Sequence, residues 1–229
     1  MKFIAEIGLN HNGNIDLIHE LIRQSSICGA NFAKFQLGWK GKPGELNYID
    51  KTSFESILKS CEFNDIEFLS SIFYRENFEF IKKYKSIKKF KIASRTIVDD
   101  IELVKDILDY SDHLFISLGM WKKKDLPFKP NPKITYFWCK SLYPTLPSDL
   151  LDFPKTFVNS DVTGYSDHSI GIDVPILAAS RGANFIEKHF TLDKSDNTIR
   201  DHALSATPAE FQEMVIRCKY IKKYVDLGI

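Results

Sequence analysis

Residues 164–205, GYSDHSIGIDVPILAASRGANFIEKHFTLDKSDNTIRDHALS, decide the fold. Two short apolar segments, VTGYSDHS (162–169) and NFIEKHFT (184–191), flank an Ala-rich helical segment, IDVPILAASRG (172–182). A strand, a helix and a second strand in this order predict a βαβ unit with parallel strands. Parallel neighbours lie roughly 5 Å apart, so His168 and His189, near the two strand ends, are expected to face one small volume. Two imidazoles placed in this way predict a site for a divalent metal ion.

His168 and His189 also have a purely structural interpretation, because a histidine near an apolar strand is commonly a hydrogen-bonded core residue. The pair favours the metal site because Asp167, Glu187 and Asp201 are close in sequence. The chain contains neither the cysteine spacing of a zinc finger nor an HExxH helix. The metal therefore need not be zinc.

The composition limits the classes of partner. The chain has 229 residues, 27% of them charged, and a formal net charge of +1. This balance gives no electrostatic case for binding nucleic acid or an anionic membrane. The cysteines are scattered without a CxxC pair, which indicates buried thiols in a reducing compartment. Since the sequence shows neither a secretory signal nor a membrane-spanning apolar run, we expect a soluble, cytoplasmic protein with one domain over residues 1–229.

Short β-type runs alternate with helical patterns along the whole chain. The runs are KFIAEIG, NFAKFQ, IEFLSSIF, KKFKIAS, HLFISLG, ITYFWCK, VTGYSDHS and NFIEKHFT. Helices are predicted over residues 15–28, 53–61, 76–84, 99–110, 173–181 and 209–225. Eight strands in this pattern predict an α/β fold of the closed (β/α)8 TIM-barrel type, with an open flavodoxin-like sheet as the second choice.

Glycine and proline mark the element boundaries. Gly29 and Gly182 each follow a helical run and begin the same tetrapeptide, GANF, which indicates a helix stop before a strand. Thr207 and Pro208 have the pattern of an N-cap and a first-turn proline. The segment WKKKDLPFKPNPK (121–133) has three prolines and no helical period. We therefore expect a trimmed barrel in which a loop replaces the helix after strand 5.

Two lysines are predicted to point into the barrel. Side chains alternate along a strand, so if Ala33 and Phe35 pack on helices, Lys34 faces the interior. The same argument turns Lys91 inward. Buried ammonium groups without partners are costly, so the two are expected to meet an anion. The alternatives are an internal salt bridge with Glu6 or Glu187, or a lysine that forms a Schiff base.

Polar side chains recur at the predicted strand exits, which in barrels of this kind form the catalytic face. Hydroxyls there suit the oxygens of a phosphate or carboxylate. The hydroxyls are Ser70, Ser71, Ser94, Ser117, Ser141 and Ser166, and the other polar residues are Glu6, Asn10, His11, Tyr143 and Asp201. The prediction is a single pocket that holds an anion, a metal ion and a polar ligand.

Nine blocks of the sequence, in order, resemble the sialic acid synthase family, which includes N-acetylneuraminate, legionaminate and pseudaminate synthases. They are IAEIGLNHNG, GANFAKFQ, FLSSIF, FKIAS, FISLGM, CKSLYP, GYSDHSIG, GANFIEKHFTLD and DHALSATPAEF. The resemblance implies a TIM barrel that condenses phosphoenolpyruvate with an N-acetylated hexosamine such as N-acetylmannosamine, giving a nonulosonic acid and phosphate.

The resemblance also implies roles for individual residues. His168 and His189 match the metal ligands, with Mn²⁺ as the expected ion and Mg²⁺ or Co²⁺ as alternatives. Tyr143 and Asp201 match the sugar site, and Glu6 is the expected carrier of the proton. The positions expected to bind phosphoenolpyruvate are Lys34, Ser71, Lys91, Ser94, Ser117, Ser141 and Ser166.

Some features depart from the family pattern. Relatives continue into an antifreeze-like C-terminal domain, which we do not expect in this protein, and Ile199 and Arg200 replace the usual Gly-Pro before Asp201. We therefore expect a homodimer or a partner protein to complete the sugar site. Besides the synthase, two hypotheses stay open: a catalytically silent barrel that serves as a binding or scaffold subunit, and a Schiff-base pyruvate aldolase.

Overall fold

The structure, a computed structural model that describes residues 1–229, is a closed barrel of eight parallel strands. The strands are β1 (Lys2–Gly8), β2 (Phe32–Leu37), β3 (Glu67–Ile72), β4 (Lys89–Ile92), β5 (His113–Ser117), β6 (Ile134–Trp138), β7 (Val162–Asp167) and β8 (Phe185–His189). Each strand pairs with its neighbour in sequence, and β1 pairs with β8 to close the ring. The predicted TIM barrel is confirmed, and the open flavodoxin-like sheet is wrong.

The helices lie outside the barrel, and four of the eight begin at a residue whose side chain caps the first turn. They are α1 (Ile15–Ile27), α2 (Lys51–Phe63), α3 (Arg75–Ile81), α4 (Thr96–Asp99), α5 (Ile101–Tyr110), α6 (Asp173–Ser180), α7 (Asp201–Leu204) and α8 (Pro208–Asp226). Thr207 and Glu210 form a capping box at the start of α8, as the Thr-Pro pattern predicts. No helix is long and apolar enough to cross a membrane.

Two connections on one side of the barrel contain no α-helix. Between β5 and β6 the chain is irregular, and Trp121, Leu126 and Phe128 pack against the hydrophobic core in place of a helix. Between β6 and β7 the only helical element is a 3-10 turn over Pro147–Leu150. The prediction of a loop after strand 5 is confirmed.

Gly182 and Gly164 occupy positions that exclude a side chain. Gly182 ends α6 with φ +93°, and a Cβ there would lie 2.3 Å from Cγ2 of Val158. Gly164 in β7 lies against the ring of Phe137, where a Cβ would come within 2.7 Å. The missing side chains let Val158 pack closely against the turn before β8 and let β7 pack closely against Phe137 of β6.

Side-chain alternation along the strands creates two separate apolar regions. Ile4, Phe32, Leu69, Phe115 and Phe137 form a small cluster of five buried residues inside the barrel. A larger cluster of 41 buried residues lies between the strands and the helices. The inner cluster fills the amino-terminal half of the barrel. The inward positions after it on each strand are polar, which places the site at the carboxyl end.

Candidate active site

A cavity of about 540 Å³ opens at the carboxyl ends of the strands. Its walls include every residue to which the sequence analysis assigned a catalytic, substrate-binding or metal-binding role. These are Glu6, Lys34, Ser71, Lys91, Ser94, Ser117, Ser141, Tyr143, Ser166, His168, His189 and Asp201. The structure therefore brings the predicted residues into one site, while their individual roles stay predictions.

Lys34 and Lys91 point into the barrel and form internal ion pairs. The Nζ atom of Lys34 lies 2.9 Å from Oε2 of Glu6 and 3.3 Å from Oε2 of Glu187. The Nζ atom of Lys91 lies 3.1 Å from the same Glu187 oxygen. The inward orientation is confirmed, and so is the salt-bridge alternative. Two ammonium and two carboxylate groups thus form a buried cluster whose formal charges cancel.

Burial and ion pairing shift the pKa values in this cluster in opposite directions. Burial raises the pKa of Glu6 above its ordinary value, although Lys34 opposes the shift. Burial alone would raise the pKa of Glu187 too, but the ammonium groups of Lys34 and Lys91 outweigh it and hold that pKa low. Burial lowers the pKa of Lys91, and Glu187 offsets only part of this shift. Glu6 is therefore the carboxyl group that most readily holds a proton.

Serine hydroxyls surround the charged cluster. Lys34 donates to Oγ of Ser71 at 3.3 Å, and Lys91 donates to Oγ of Ser117 at 2.7 Å. Ser166 donates to Oε1 of Glu187 at 2.7 Å. On the neighbouring wall, the backbone N–H of Gly119 donates to Oγ of Ser94 at 2.9 Å. The charged groups hold Ser71, Ser117 and Ser166 in place, and each hydroxyl can exchange a partner for an oxygen of an anionic ligand.

The two histidines lie side by side at the ends of β7 and β8. Their ring centroids are 5.5 Å apart. Nδ1 of His168 donates to the carbonyl oxygen of Lys140, which leaves the Nε2 lone pair free to bind a metal. Burial lowers the pKa of His168 to about 4, and burial also lowers the pKa of His189. Both imidazoles are therefore neutral at pH 7, the form in which histidine binds a metal.

The donor set fits a metal ion with only two protein ligands. No group of three or more His, Cys, Asp or Glu side chains is arranged to hold an ion. Nδ1 of His189 is buried without a hydrogen-bond partner and lies 3.8 Å from Oδ2 of Asp201. The unpaired Nδ1 of His189 and the free Nε2 of His168 suit a divalent ion whose remaining coordination positions are taken by water or substrate oxygens.

Tyr143 forms the wall between the histidines and the mouth of the cavity. Its ring lies 4.2 Å from the ring of His168, centroid to centroid, and the guanidinium of Arg200 lies 4.7 Å from its other side. Burial raises the pKa of the Tyr143 hydroxyl, so the phenol stays protonated. Arg200 Nε also lies 3.4 Å from Oδ1 of Asp201. Arg200, Tyr143 and Asp201 together form one polar wall.

The sequence analysis did not predict a role for two arginines that line the cavity, Arg95 and Arg200. Arg95 follows Ser94 at the exit of β4, and its guanidinium lies 5.8 Å from the Trp39 ring. Arg200 was noted only as a departure from the family pattern. The strand-exit rule that selected Ser94 would also have found Arg95. Arg200 follows a long loop after β8, so no spacing from the strand end indicates its position.

Three polar residues at predicted strand exits lie outside the cavity, so the expectation that they share its walls is wrong. Asn10 donates to the carbonyl oxygen of Phe190 and His11 bonds to Asn47, each inside the protein. Ser70 faces outward and donates to the carbonyl oxygen of Phe35. Asn10 and His11 belong to the turn after β1, where the chain leaves the barrel axis. Ser70 is at a position of β3 whose side chain points out of the barrel, towards the helices.

Comparisons with known proteins bear on the family and the fold of this chain. A model described as the NeuB family matches residues 45–228. An uncharacterised protein of Methanocaldococcus jannaschii is 35% identical over 98% of this chain and 72% of its own. N,N'-diacetyllegionaminic acid synthase of Campylobacter jejuni is 30% identical over 99% of this chain and 78% of its own.

A solved structure extends the comparison to three dimensions. The crystal structure of N-acetylneuraminic acid (sialic acid) synthetase from Leptospira borgpetersenii, in complex with citrate, aligns with a TM-score of 0.78 and 27% identity. The alignment covers 97% of this chain and 84% of that one. The resemblance to the sialic acid synthases is thereby confirmed, and the chain belongs to the NeuB family.

Proposed function

We propose that this protein is a nonulosonic acid synthase that condenses phosphoenolpyruvate with an N-acetylated hexosamine and water, releasing phosphate. The observation that carries the proposal is one cavity in which two buried lysines, a set of hydroxyls and a pair of neutral imidazoles face each other. Membership of the NeuB family, whose relatives include legionaminic and N-acetylneuraminic acid synthases, supports the same reaction class.

Lys91 is the better placed lysine for binding the phosphate or carboxylate of phosphoenolpyruvate. An ammonium group has three donors. Lys34 already contacts Glu6, Glu187 and Ser71, whereas Lys91 contacts Glu187 and Ser117. The three donors of Lys91 meet Oγ of Ser117 and the two carboxylate oxygens of Glu187, so one donor can turn from Glu187 to a ligand while the ion pair is kept through the other oxygen. Because the inner charges cancel, the additional positive charge that a polyanion requires has to come from the cavity wall, where Arg95 lies beside Ser94.

His168 and His189 are the residues that would hold a divalent ion, with Mn²⁺ as the expected species. When bound there, such an ion supplies Lewis-acid polarisation of the sugar's aldehyde oxygen. The ring of Tyr143, stacked on His168, limits the directions from which a sugar can approach this point. Asp201, beside His189, is available to accept hydrogen bonds from sugar hydroxyls.

The proposed chemistry forms one carbon–carbon bond and breaks one carbon–oxygen bond. C3 of phosphoenolpyruvate attacks the aldehyde carbon of the open-chain sugar, and the aldehyde oxygen takes up a proton. Water adds at C2 and loses a proton, after which the bond between C2 and the phosphate oxygen breaks, the C2 hydroxyl proton passes to the leaving phosphate, and the 2-keto acid remains. One proton is thus taken up and one is lost, and Glu6, whose pKa is raised by burial, can carry it between the two sites.

Phosphate release tests the proposed function. Purified protein is incubated with Mn²⁺, phosphoenolpyruvate and either N-acetylmannosamine or its 2,4-diacetamido analogues, and inorganic phosphate is measured. We expect acceptor-dependent release, and we expect Lys91→Ala to bind phosphoenolpyruvate more weakly than the parent. The assignment fails if no acceptor of the panel releases phosphate and Lys91→Ala binds phosphoenolpyruvate as tightly as the parent does.

A second candidate function is a Schiff-base aldolase, which is favoured by the lowered pKa of the buried Lys91. Borohydride reduction in the presence of pyruvate would then produce a covalent adduct on Lys91. The ion pair between Lys91 and Glu187 argues against it, because a charged ammonium is not a nucleophile. The absence of an adduct would exclude the aldolase and leave the synthase proposal intact.

A further inference from the structure

Asp167 and Lys188 form a buried ion pair on the outer face of the barrel, on the opposite side of the sheet from the cavity. Asp167 is the last residue of β7, and Lys188 lies directly opposite it on β8. Their neighbours Ser166 and Glu187 face the cavity, so alternation turns Asp167 and Lys188 away from it. Both side chains are 0% exposed. We call this pair the outer ion pair.

The outer ion pair makes its hydrogen bonds to groups within the protein. Nζ of Lys188 contacts Oδ2 of Asp167 and donates to the carbonyl oxygen of Ser169. The other oxygen of Asp167, Oδ1, accepts from the hydroxyls of Tyr165 and Ser169, the latter at 2.8 Å. The carboxylate and the ammonium are therefore paired within the protein, and since neither is exposed and neither lines the cavity, they take no direct part in substrate binding.

The outer ion pair is an exception among the outward-facing strand positions. The other outward residues of the strands are uncharged, and most of them belong to the apolar layer that packs against the helices. A buried ion pair contributes little to stability compared with apolar residues of similar volume. Stability alone therefore does not explain why charged residues occupy these two positions.

The residues in contact within the outer ion pair are the sequence neighbours of both histidines. Asp167 and Ser169 are the chain neighbours of His168, and Lys188 precedes His189. The ammonium of Lys188 holds the backbone carbonyl on one side of His168 and the carboxylate on the other, and so ties this segment to β8. Catalytic and metal-binding groups need to be held within roughly 0.5 Å of their working positions.

We propose that Asp167 and Lys188 are positioning residues that fix the separation and the ring orientation of His168 and His189 from the outside of the barrel. The role rests on the proposed function, because the pair of imidazoles is the proposed metal site. It acts through the backbone, and neither residue touches the substrate or the ion. Loss of the outer ion pair loosens the rings without removing any group from the cavity.

The test compares the parent with the double variant Asp167→Asn/Lys188→Met. This variant removes both charges together, so no buried charge is left unpaired, and Asn keeps an acceptor for Tyr165 and Ser169. The single variant Asp167→Asn, which strands the Lys188 ammonium, serves for comparison. Leu114→Ala on the outer face of β5 is the matched control, since it destabilises the same apolar layer far from the histidines.

The first readout is the dissociation constant for Mn²⁺ alone, measured by electron paramagnetic resonance on folded protein. We expect it to rise on the order of 10- to 100-fold in the double variant and to stay within about twofold of the parent in Leu114→Ala. A double variant that is folded and binds Mn²⁺ as tightly as the parent overturns the proposal.

The second readout needs no metal. Histidine nitrogen NMR on the metal-free protein reports whether Nδ1 of His168 carries the proton that it donates to Lys140. We expect one tautomer in the parent and in Leu114→Ala, and a mixture in the double variant. A single tautomer in the double variant overturns the proposal even if Mn²⁺ binding has weakened. If the parent binds no Mn²⁺, the proposed metal site is wrong, and this readout alone decides the positioning role.

Discussion

Lys34 and Glu6 form an ion pair inside the barrel, with 2.9 Å between Nζ and Oε2 and with both side chains at most 5% exposed. Glu6 also accepts a hydrogen bond from Gln36. These two donors stabilise the ionised carboxylate, and burial opposes them. Burial prevails, so the pKa of Glu6 lies above its ordinary value, which favours a part for this carboxyl group in proton transfer.

Replacement of Glu6 by glutamine removes the proton carrier but keeps a side chain of the same shape. We expect Glu6→Gln to lower kcat by about 10²- to 10⁴-fold, the usual contribution of general acid–base catalysis. The KM for phosphoenolpyruvate should change much less, because Lys91 and its serines are untouched. Steady-state phosphate release measures both constants. A variant with parental kcat would show that the proton moves by another route.

The two arginines of the cavity wall should affect different substrates. Arg200 lies against Tyr143 and Asp201, so Arg200→Ala is expected to raise the KM for the sugar. Arg95 lies beside Ser94, so Arg95→Ala is expected to raise the KM for phosphoenolpyruvate. Each variant is the control for the other. Equal effects of both variants on both KM values would contradict this division of the cavity.

Removal of the metal should abolish catalysis reversibly. We expect a chelator to stop phosphate release and added Mn²⁺ to restore it in the parent. His168→Gln is expected to lose Mn²⁺ binding, because His168 presents its free Nε2 atom to the cavity. His113→Gln is the matched control, since His113 bonds to Thr135 outside the cavity. Full activity of metal-free parent protein would contradict the proposed role of the ion.

Stability should fall in acid because His11 is buried in its neutral form. Burial lowers the pKa of His11 below its ordinary value of 6.5, with a hydrogen bond to Asn47 as the smaller, opposing effect. As the pH falls below about 6.5, the unfolded chain takes up a proton on this residue that the folded protein does not, so the free energy of unfolding decreases.

Urea unfolding of the parent and His11→Gln between pH 7.5 and 5 measures this contribution. The slope of the free energy of unfolding against pH should be shallower in the variant by up to about 1.4 kcal/mol per pH unit. The other histidines are unchanged and contribute equally to both proteins. Parallel slopes would mean that His11 takes up its proton equally in the folded and the unfolded state.

A methyl group at Gly182 should be more harmful than one at Gly171. Both glycines have positive φ, +93° and +80°, so alanine at either site costs roughly 1–2 kcal/mol of backbone strain. A Cβ at Gly182 would also lie 2.3 Å from Val158, whereas nothing lies within 4 Å at Gly171. We expect Gly182→Ala to lose about 1–3 kcal/mol more than Gly171→Ala in urea unfolding. Equal losses would exclude the steric contribution.

The sequence predicted the barrel because several independent local patterns agree on it. These patterns are local, and the structure contains all of them: the strand alternation around Lys34 and Lys91, the repeated GANF that begins at Gly29 and Gly182, and the helix-free segment after β5. The same alternation predicted the cavity residues that lie on strands. A side chain that points inward near the carboxyl end of a strand lies at the mouth of the barrel.

What the sequence did not predict depends on contacts between distant loops. The turn after β1 buries Asn10 and His11 against Phe190 and Asn47, and the loop after β8 folds back so that Arg200 covers Tyr143. Local periodicity carries no information on such contacts. The role of Lys188 was missed for another reason. A charged residue that points out of the barrel is expected to be solvent-exposed, and only the strand register shows that Asp167 lies opposite it.

The apolar cluster around Phe115 and Phe137 lies beneath the cavity as its floor, so a ligand reaches the lysines from the carboxyl ends of the strands. Lys34 and Lys91 are deep in the cavity, and Arg200 is at the rim. A reactant that binds to the lysines has to enter before one that binds beneath Arg200, because the latter would block its way. If the proposed reaction is correct, we therefore expect phosphoenolpyruvate to bind first and the sugar second.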